Sequence, residues 1–254
     1  MEFGNVTSYI DLAQLLLYLF WGFFFSLVVY LHNESKREGY PTVDSHAPNY
    51  RGGTLFGLPK PKTYTLPHGQ GTRTAPRADP QYELKAKQLV KGPGFPLEPT
   101  GNPMLDGVGP ASWATRPDTP DLTHDEGSPR IIPMRVAADW NVEGRDPDPR
   151  GKAIFGVDGE QGGVVTDLWI DLSEPHIRYL EIDAGGKQVL MPMNFARVKK
   201  TGEVIAKSVC GRHFADAPGT ANPDFVTLQE EDKISAYFGG GYLYALEERT
   251  EPVL

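Results

Sequence analysis

Two groups of ionisable side chains are the part of this sequence best suited to chemistry. Asp121, His124, Asp125 and Glu126 form the first, and Asp167, Asp171, Glu174, His176 and Arg178 form the second. A carboxylate held beside another carboxylate has its pKa raised, and an imidazole titrates near neutrality. Groups of this kind can pass protons between water and a buried site. A solvated surface is the commoner setting for such residues, and composition does not choose between the two. Other chemistry lacks its motifs. The six histidines (His32, His46, His68, His124, His176 and His213) are dispersed, and no pair has metal-ligand spacing. Cys210 has no second cysteine, and His213 three residues on is a weak hint of a pair. Gly52–Gly53 and Gly239–Gly241 do not sit in a phosphate-cradling context, and no G-x-S-x-G elbow occurs. The chain makes no case from its motifs as an independent enzyme.

The elements that position these groups begin with a membrane span. Leu12 to Leu31 (LAQLLLYLFWGFFFSLVVYL) is twenty positions without a charge. As a helix it is roughly 30 Å long, the thickness of a bilayer's hydrocarbon. A signal peptide needs a basic start and a small-residue cleavage site. Here Glu2 and Asp11 precede the run with no Lys or Arg, and it leaves through Val28, Val29, Tyr30 and Leu31. Aromatic bulk on every face (Tyr18, Phe20, Trp21, Phe23, Phe24, Phe25) suits lipid or a partner helix better than a protein core. Lys36 and Arg37 follow the span, which by the positive-inside rule puts the rest of the chain in the cytoplasm and the N-terminus on the opposite side of the membrane. A single cysteine fits a reducing compartment. The net charge of −8 leaves no basic footprint for nucleic acid.

Sixteen of the 23 prolines fall between Pro41 and Pro133, which rules out long helices and central strands there. A linker has no use for the apolar residues spread through that stretch, among them Tyr50, Leu55, Phe56, Leu58, Tyr64, Tyr82, Phe95, Leu105 and Trp113. We therefore expect residues 32–133 to be an extended Pro/Gly-rich segment lying on a partner. From Gly151 onward, short β-rich runs at 152–158, 164–172, 177–183 and 187–192, with a further pair at 197–199 and 203–207, alternate with glycine and proline. They predict a small antiparallel barrel or curled sheet, with Trp169, Ile170, Leu180, Ile182, Leu190 and Met193 in its core. Thr227-Leu-Gln-Glu230 reads as a capping box opening a helix with Ile234, Tyr237 and Phe238 on its apolar face. Gly239–Gly241 then either breaks that helix or marks a close approach by another segment. The expectation is a break, since each glycine weakens a helix by about 1 kcal/mol relative to alanine.

A series of short words is more specific than these patterns. Asp11-Leu-Ala-Gln14 and Phe20–Trp21 lie at the span, followed by Arg37-Glu-Gly-Tyr-Pro41 and Pro61-Lys-Thr-Tyr-Thr-Leu-Pro-His-Gly69. Then come Pro99-Thr-Gly-Asn-Pro-Met104, Asp106-Gly-Val-Gly-Pro-Ala-Ser-Trp113, Val165-Thr-Asp-Leu-Trp-Ile-Asp171, Glu230-Glu-Asp-Lys-Ile234 and Gly240-Gly-Tyr-Leu-Tyr-Ala245. In this order the chain resembles the H subunits of the photosynthetic reaction centres of purple bacteria over essentially its whole length. The resemblance implies one transmembrane helix, the Pro-rich segment laid over the L and M pigment-binding subunits, and a mainly β cytoplasmic domain with a C-terminal helix. That domain, residues 134–254, is built on a small barrel of the PRC type. It implies a non-catalytic subunit of the bacterial inner (intracytoplasmic) membrane, in contact with lipid and with a light-harvesting antenna ring. Bacteriochlorophyll, bacteriopheophytin, quinones and non-haem iron belong to the complex, and none is bound directly by this chain. The implied role is to cap the complex around the quinones and help deliver protons to the secondary quinone.

Carried over position by position, the family's proton region matches at Asp171, Glu174 and Arg178. Some relatives have two surface histidines before the I-x-P-M stretch, where this chain has Glu126 and Ser128. His124, Asp125 and Glu126 are expected to form an acidic proton-collecting patch instead. Two rival readings are a membrane-anchored PRC-barrel adaptor with an unrelated partner and a membrane enzyme acting on a lipid-soluble substrate. The first has no reason to keep all these words, and the second lacks a nucleophile, metal or cofactor motif.

Overall fold

The computed structural model describes residues 11–37, 57, 59–76, 82–90 and 95–250. The expected words at 38–41 and the apolar positions Tyr50, Leu55, Phe56 and Leu58 lie outside the described residues. The chain divides into two compact units.

The first unit holds helix α1 (Leu12–Glu34), opened by the Asp11 side chain accepting the Gln14 N–H at 2.7 Å. The helix runs three residues beyond the uncharged stretch and ends in polar side chains. None of its residues is buried, as a lipid-facing span requires. It is long and apolar enough to cross a membrane. At its foot Arg37 pairs with Glu34 at 2.8 Å and donates to the Lys60 carbonyl at 2.7 Å. A short hairpin follows, β1 (Lys62–Thr65) against β2 (Thr72–Ala75).

The second unit starts with a two-stranded piece, β3 (Ala86–Gln88) and β4 (Leu97–Pro99), and a single helical turn α2 (Pro103–Asp106) capped by Asn102. Its body is a seven-stranded curled sheet, a half-barrel: β5 (Ile131–Pro133), β6 (Ala153–Phe155), β7 (Gln161–Asp171), β8 (His176–Asp183), β9 (Gln188–Pro192), β10 (Ala196–Val198) and β11 (Val204–Ala206). The long strand β7 organises it. One edge pairs with β8; the other carries β6 along its first residues and β5 along Trp169–Asp171. All pairs are antiparallel except β11 with β6. Gly185 and Gly186, both at positive φ, make the tight β8–β9 turn that only glycine adopts without strain. Trp169, Ile170, Leu180, Ile182 and Leu190 are buried as expected, while Met193 is half-buried against the core.

Helix α3 (Leu228–Tyr244) begins at Thr227 with the expected capping box, and Ile234, Tyr237 and Phe238 are buried. It does not break at Gly239–Gly241. Close approach is the reason for the glycines: a Cβ on Gly240 would stand 2.5 Å from the Ala111 Cβ, and one on Gly241 2.6 Å from Val209 Cγ1. Ala111 belongs to the proline-rich segment, and Val209 follows β11. The Thr119 and Pro117 carbonyls accept the N–H groups of Leu228 and Gln229, two of the donors a helix N-terminus leaves without partners. In return, Asp232 and Gln229 side chains accept the Ala114 and Arg116 N–H groups at 2.6 and 3.0 Å. Residues 109–120 thus strap α3, and 131–133 is a sheet strand, so the end of the proline-rich segment is built into this unit.

Candidate functional site

The register of β5 on β7 places Ile131 opposite Asp171, and the ladder continues with Leu172 N–H on the Arg130 carbonyl at 2.9 Å. Arg130 therefore arrives beside the end of β7. Its Nε donates to Asp171 Oδ1 at 2.8 Å, Nη1 lies 3.3 Å from Asp121 Oδ2, and Nη2 lies 3.6 Å from Glu174 Oε1. One guanidinium thus joins the two acidic groups that the sequence kept separate. Asp171 closes β7 and begins the four-residue turn to β8. Its short side chain reaches back so that Oδ1 also accepts the N–H groups of Ser173 (2.9 Å) and Glu174 (3.0 Å). Burial works against its ionisation, but Arg130 and the two N–H donors outweigh it, and Asp171 is held below the usual carboxylate range. This carboxylate is an anchored anion.

Glu174 lies in the turn and is exposed; His176 opens β8 and is exposed as well. Arg178 is the extra residue of a β-bulge: Trp169 faces Tyr179 and Ile170 faces Ile177, so Arg178 has no cross-strand partner. The bulge directs it toward a second pair. The Tyr179 hydroxyl donates to Glu231 Oε2 on α3 at 2.7 Å. Burial raises the pKa of Glu231, opposed by the Tyr179 bond and by the charge of Arg178. Burial pushes the Tyr179 hydroxyl up too. A cavity of about 450 Å³, lined by His176, Arg178, Tyr179, Asn194 and Ser235 among others, opens beside these groups. The set combines a fixed anion, an exposed acid, an imidazole and a half-buried acid that favours its proton. Together they can hold and exchange protons along one side of the sheet.

The remaining candidates separate from it. His124, Asp125 and Glu126 sit exposed on the turn of the small loop closed by Thr123 and Ser128, whose N–H and carbonyl meet at 2.8 Å. Only the base of that loop, Asp121, reaches Arg130. Asp167 belongs elsewhere. The bulge between Val165 and Asp167 turns it toward Arg135 (3.2 Å), which also holds Glu181 at 2.7 Å, while Trp169 Nε1 donates to the same Glu181 oxygen at 2.7 Å. Cys210 and His213 form a local cap, with His213 Nδ1 accepting the Cys210 N–H at 3.1 Å and the thiol buried on the Ala245 carbonyl. Arg130, Tyr179 and Glu231 were not singled out as site residues by the sequence. Glu231 is one of two acids in the first turn of α3, where acids are common, and no local pattern ties Arg130 to Asp171.

Comparison with known proteins agrees with this architecture. Residues 4–136 match the photosynthetic reaction centre H-chain N-terminal region, and residues 141–208 match the PRC-barrel domain. An uncharacterized protein of Deinococcus radiodurans is 37% identical over 78 residues, which cover 29% of this chain and 28% of that protein. The chain thus spans under a third of that relative's length. The H-chain match takes in the span and more than half of the residues, and the barrel match takes in β6 to β11. The chain belongs to the photosynthetic reaction centre H-chain family.

Proposed function

We propose that this chain is the subunit that caps the L and M pigment-binding chains on the cytoplasmic side of the membrane and helps deliver protons to the secondary quinone. Membership of the H-chain family supports association with those chains, and α1 supports anchorage beside them. Lys36 and Arg37 after the span favour a cytoplasmic second unit. Exposed apolar side chains in the proline-rich segment, Tyr82 at 81% and Phe95, Leu105 and Trp113 near half, are suited to burial under a partner. Pigments, quinones and iron belong to the partner chains on this reading.

The observation that carries the proton role is the junction at Arg130, which gathers Asp121, Asp171 and Glu174 at the turn into β8, whose first residues His176 and Arg178 line a cavity of about 450 Å³. Asp171 with Arg130 sets a fixed charge, and Glu174, exposed and reaching outward, is the group that exchanges protons. Arg178 tunes the neighbouring acid Glu231. His124, Asp125 and Glu126 form an acidic collecting surface, linked to the junction through Asp121. The test is Glu174→Gln in the intact complex. The second, proton-coupled electron transfer to the secondary quinone slows, while primary charge separation keeps its wild-type rate. Wild-type kinetics for that second transfer in the variant would remove Glu174 from the path.

A further inference from the structure

The hairpin of β10 and β11 carries a charge opposite to that of the whole chain. From Arg197 to Lys207 stand four cations (Arg197, Lys199, Lys200 and Lys207) and one acid, Glu203, in a protein of net charge −8. Strand alternation decides where they point. Arg197 pairs with Ile205 and Val198 with Val204, and the hairpin closes with the Lys199 N–H on the Glu203 carbonyl at 2.8 Å. Beyond β11 the ladder continues with the Lys207 N–H on the Phe195 carbonyl at 2.9 Å. Ala196, Val204 and Ala206 are buried, so Arg197, Lys199, Glu203, Ile205 and Lys207 share the outer face. In the parallel pairing with β6, Ile205 lies beside Phe155, and both are half-buried. Lys199 Nζ stands over the Phe155 ring, 5.9 Å from its centre. Lys152, just before β6, is exposed, and its stem lies 3.1 Å from where a Cβ on Gly202 would stand. Two partly exposed apolar side chains are thus ringed by cations. Glu203 pairs with Lys199 at 3.2 Å and nearby Asp148 with Arg150 at 2.7 Å, so neither acid cancels the remaining positive charge.

From this face we infer that the β10–β11 hairpin docks on anionic phospholipid headgroups at the membrane surface. Cations around a small apolar centre are the composition of segments that lie in a membrane interface. The charges meet lipid phosphates while the apolar side chains enter the headgroup boundary. Each Lys or Arg near an anionic leaflet is worth about fivefold in partition. The span α1 keeps the rest of the chain beside a bilayer, so the encounter is intramolecular and a modest attraction suffices. Edge protection is the plainer role for such charges. β10 lies at an edge of the sheet, and cations on edge strands discourage pairing with other chains. That role accounts for Arg197 and Lys199. It does not account for Lys207 beyond β11, Lys152 before β6 or the apolar pair between them. An acidic protein surface would also meet the charges, but the tethered bilayer and the apolar centre favour lipid.

The test uses the full chain in lipid nanodiscs of phosphatidylcholine alone or of an equal mixture with phosphatidylglycerol. A nitroxide is attached in the turn through Thr201→Cys; Cys210 is buried and stays unlabelled. Its collisions with a headgroup-bound nickel chelate report contact with the membrane. Contact appears in the anionic discs and not in phosphatidylcholine, and it falls as salt rises toward 1 M, where the screening length is about 3 Å. Arg197→Gln and Lys200→Gln together lower the docking constant about 25-fold, the product of two fivefold steps. Both side chains are exposed, so the double variant keeps the fold. Glu203→Gln strengthens docking although it removes an ion pair, a direction that damage to the hairpin would not produce. Equal contact in both kinds of disc, or undiminished contact in the double variant, overturns the proposal. So does a label that meets lipid in neither disc but is shielded from a soluble nickel chelate in the purified complex, which assigns the face to an acidic protein.

Discussion

Alanine substitutions along Gly239–Gly241 should split by sign, although a helix on its own gains from each. In a helix interior Gly→Ala is worth about 1 kcal/mol. At Gly239 an added Cβ meets only the Pro110 carbonyl oxygen at 3.7 Å and Phe195 Cζ at 3.9 Å, ordinary contact distances, so most of that gain is realised. At Gly240 it meets Ala111 Cβ at 2.5 Å and Cα at 3.0 Å, and at Gly241 Val209 Cγ1 at 2.6 Å and the Ser208 carbonyl oxygen at 2.8 Å. Carbon pairs settle near 3.5–4.0 Å, so the helix must move about 1 Å away from the strap for Gly240→Ala and from the segment after β11 for Gly241→Ala. Ala111 and Val209 are themselves buried and cannot swing aside. Overpacking costs about 1–3 kcal/mol; overlaps this deep against buried neighbours lie at the upper end, which leaves a net loss of about 2 kcal/mol. For a unit of this size 1 kcal/mol moves Tm by about 2–4 °C. Thermal unfolding of the full-length chain in detergent, followed by circular dichroism and tryptophan fluorescence, should show Gly239→Ala melting about 2–4 °C higher and Gly240→Ala and Gly241→Ala about 4–8 °C lower. A Gly240→Ala chain as stable as the wild type would mean that the strap does not press on the helix, and the account of the glycines would be wrong.

The pH dependence of stability should carry the mark of Glu231. Its folded pKa is raised by burial above the ordinary 4.5, so its contribution is present below that value and lost as pH rises through the folded pKa. Glu231→Gln keeps an acceptor for Tyr179 and cannot ionise; chemical unfolding from pH 4 upward should show the variant gaining on the wild type, and a pH-independent difference would contradict this. Thr227→Ala removes the cap on Glu230 N–H at 3.1 Å and the bond to Asp118 at 2.8 Å, and should cost about 1–2 kcal/mol in the same unfolding assay. Thr227→Ser should recover most of that loss, and failure to do so would point to the methyl group instead of the hydroxyl.

Much of the sheet was legible in the sequence because its strands announce themselves. β7, β8 and β9 are β-branched and aromatic runs ended by glycine or proline, and the core residues Trp169, Leu180 and Ile182 are large apolar members of those runs. The Thr227–Glu230 box was legible because both partners lie within one turn. What escaped depends on distance along the chain. β5 is three residues, too short for any period, and its pairing with β7 spans about forty positions. That pairing alone brings Arg130 to Asp171, so the centre of the candidate site was invisible even though Asp171 and Glu174 were picked out. The bulge at Arg178 likewise depends on register across two strands. The glycine run was misread for the same reason: Ala111, which faces Gly240, lies in a stretch whose prolines suggested a surface for other chains, and Val209, which faces Gly241, is about thirty positions away.

Purification of this chain from its native membranes by a gentle tag, with the near-infrared absorption and the partner composition recorded together, shows what it assembles with. A reaction-centre subunit brings down bacteriochlorophyll bands that bleach in light and two multi-span partners in equal amount with the tagged chain. A colourless preparation holding other partners would contradict that role, and would leave the H-chain architecture serving as a membrane-anchored adaptor.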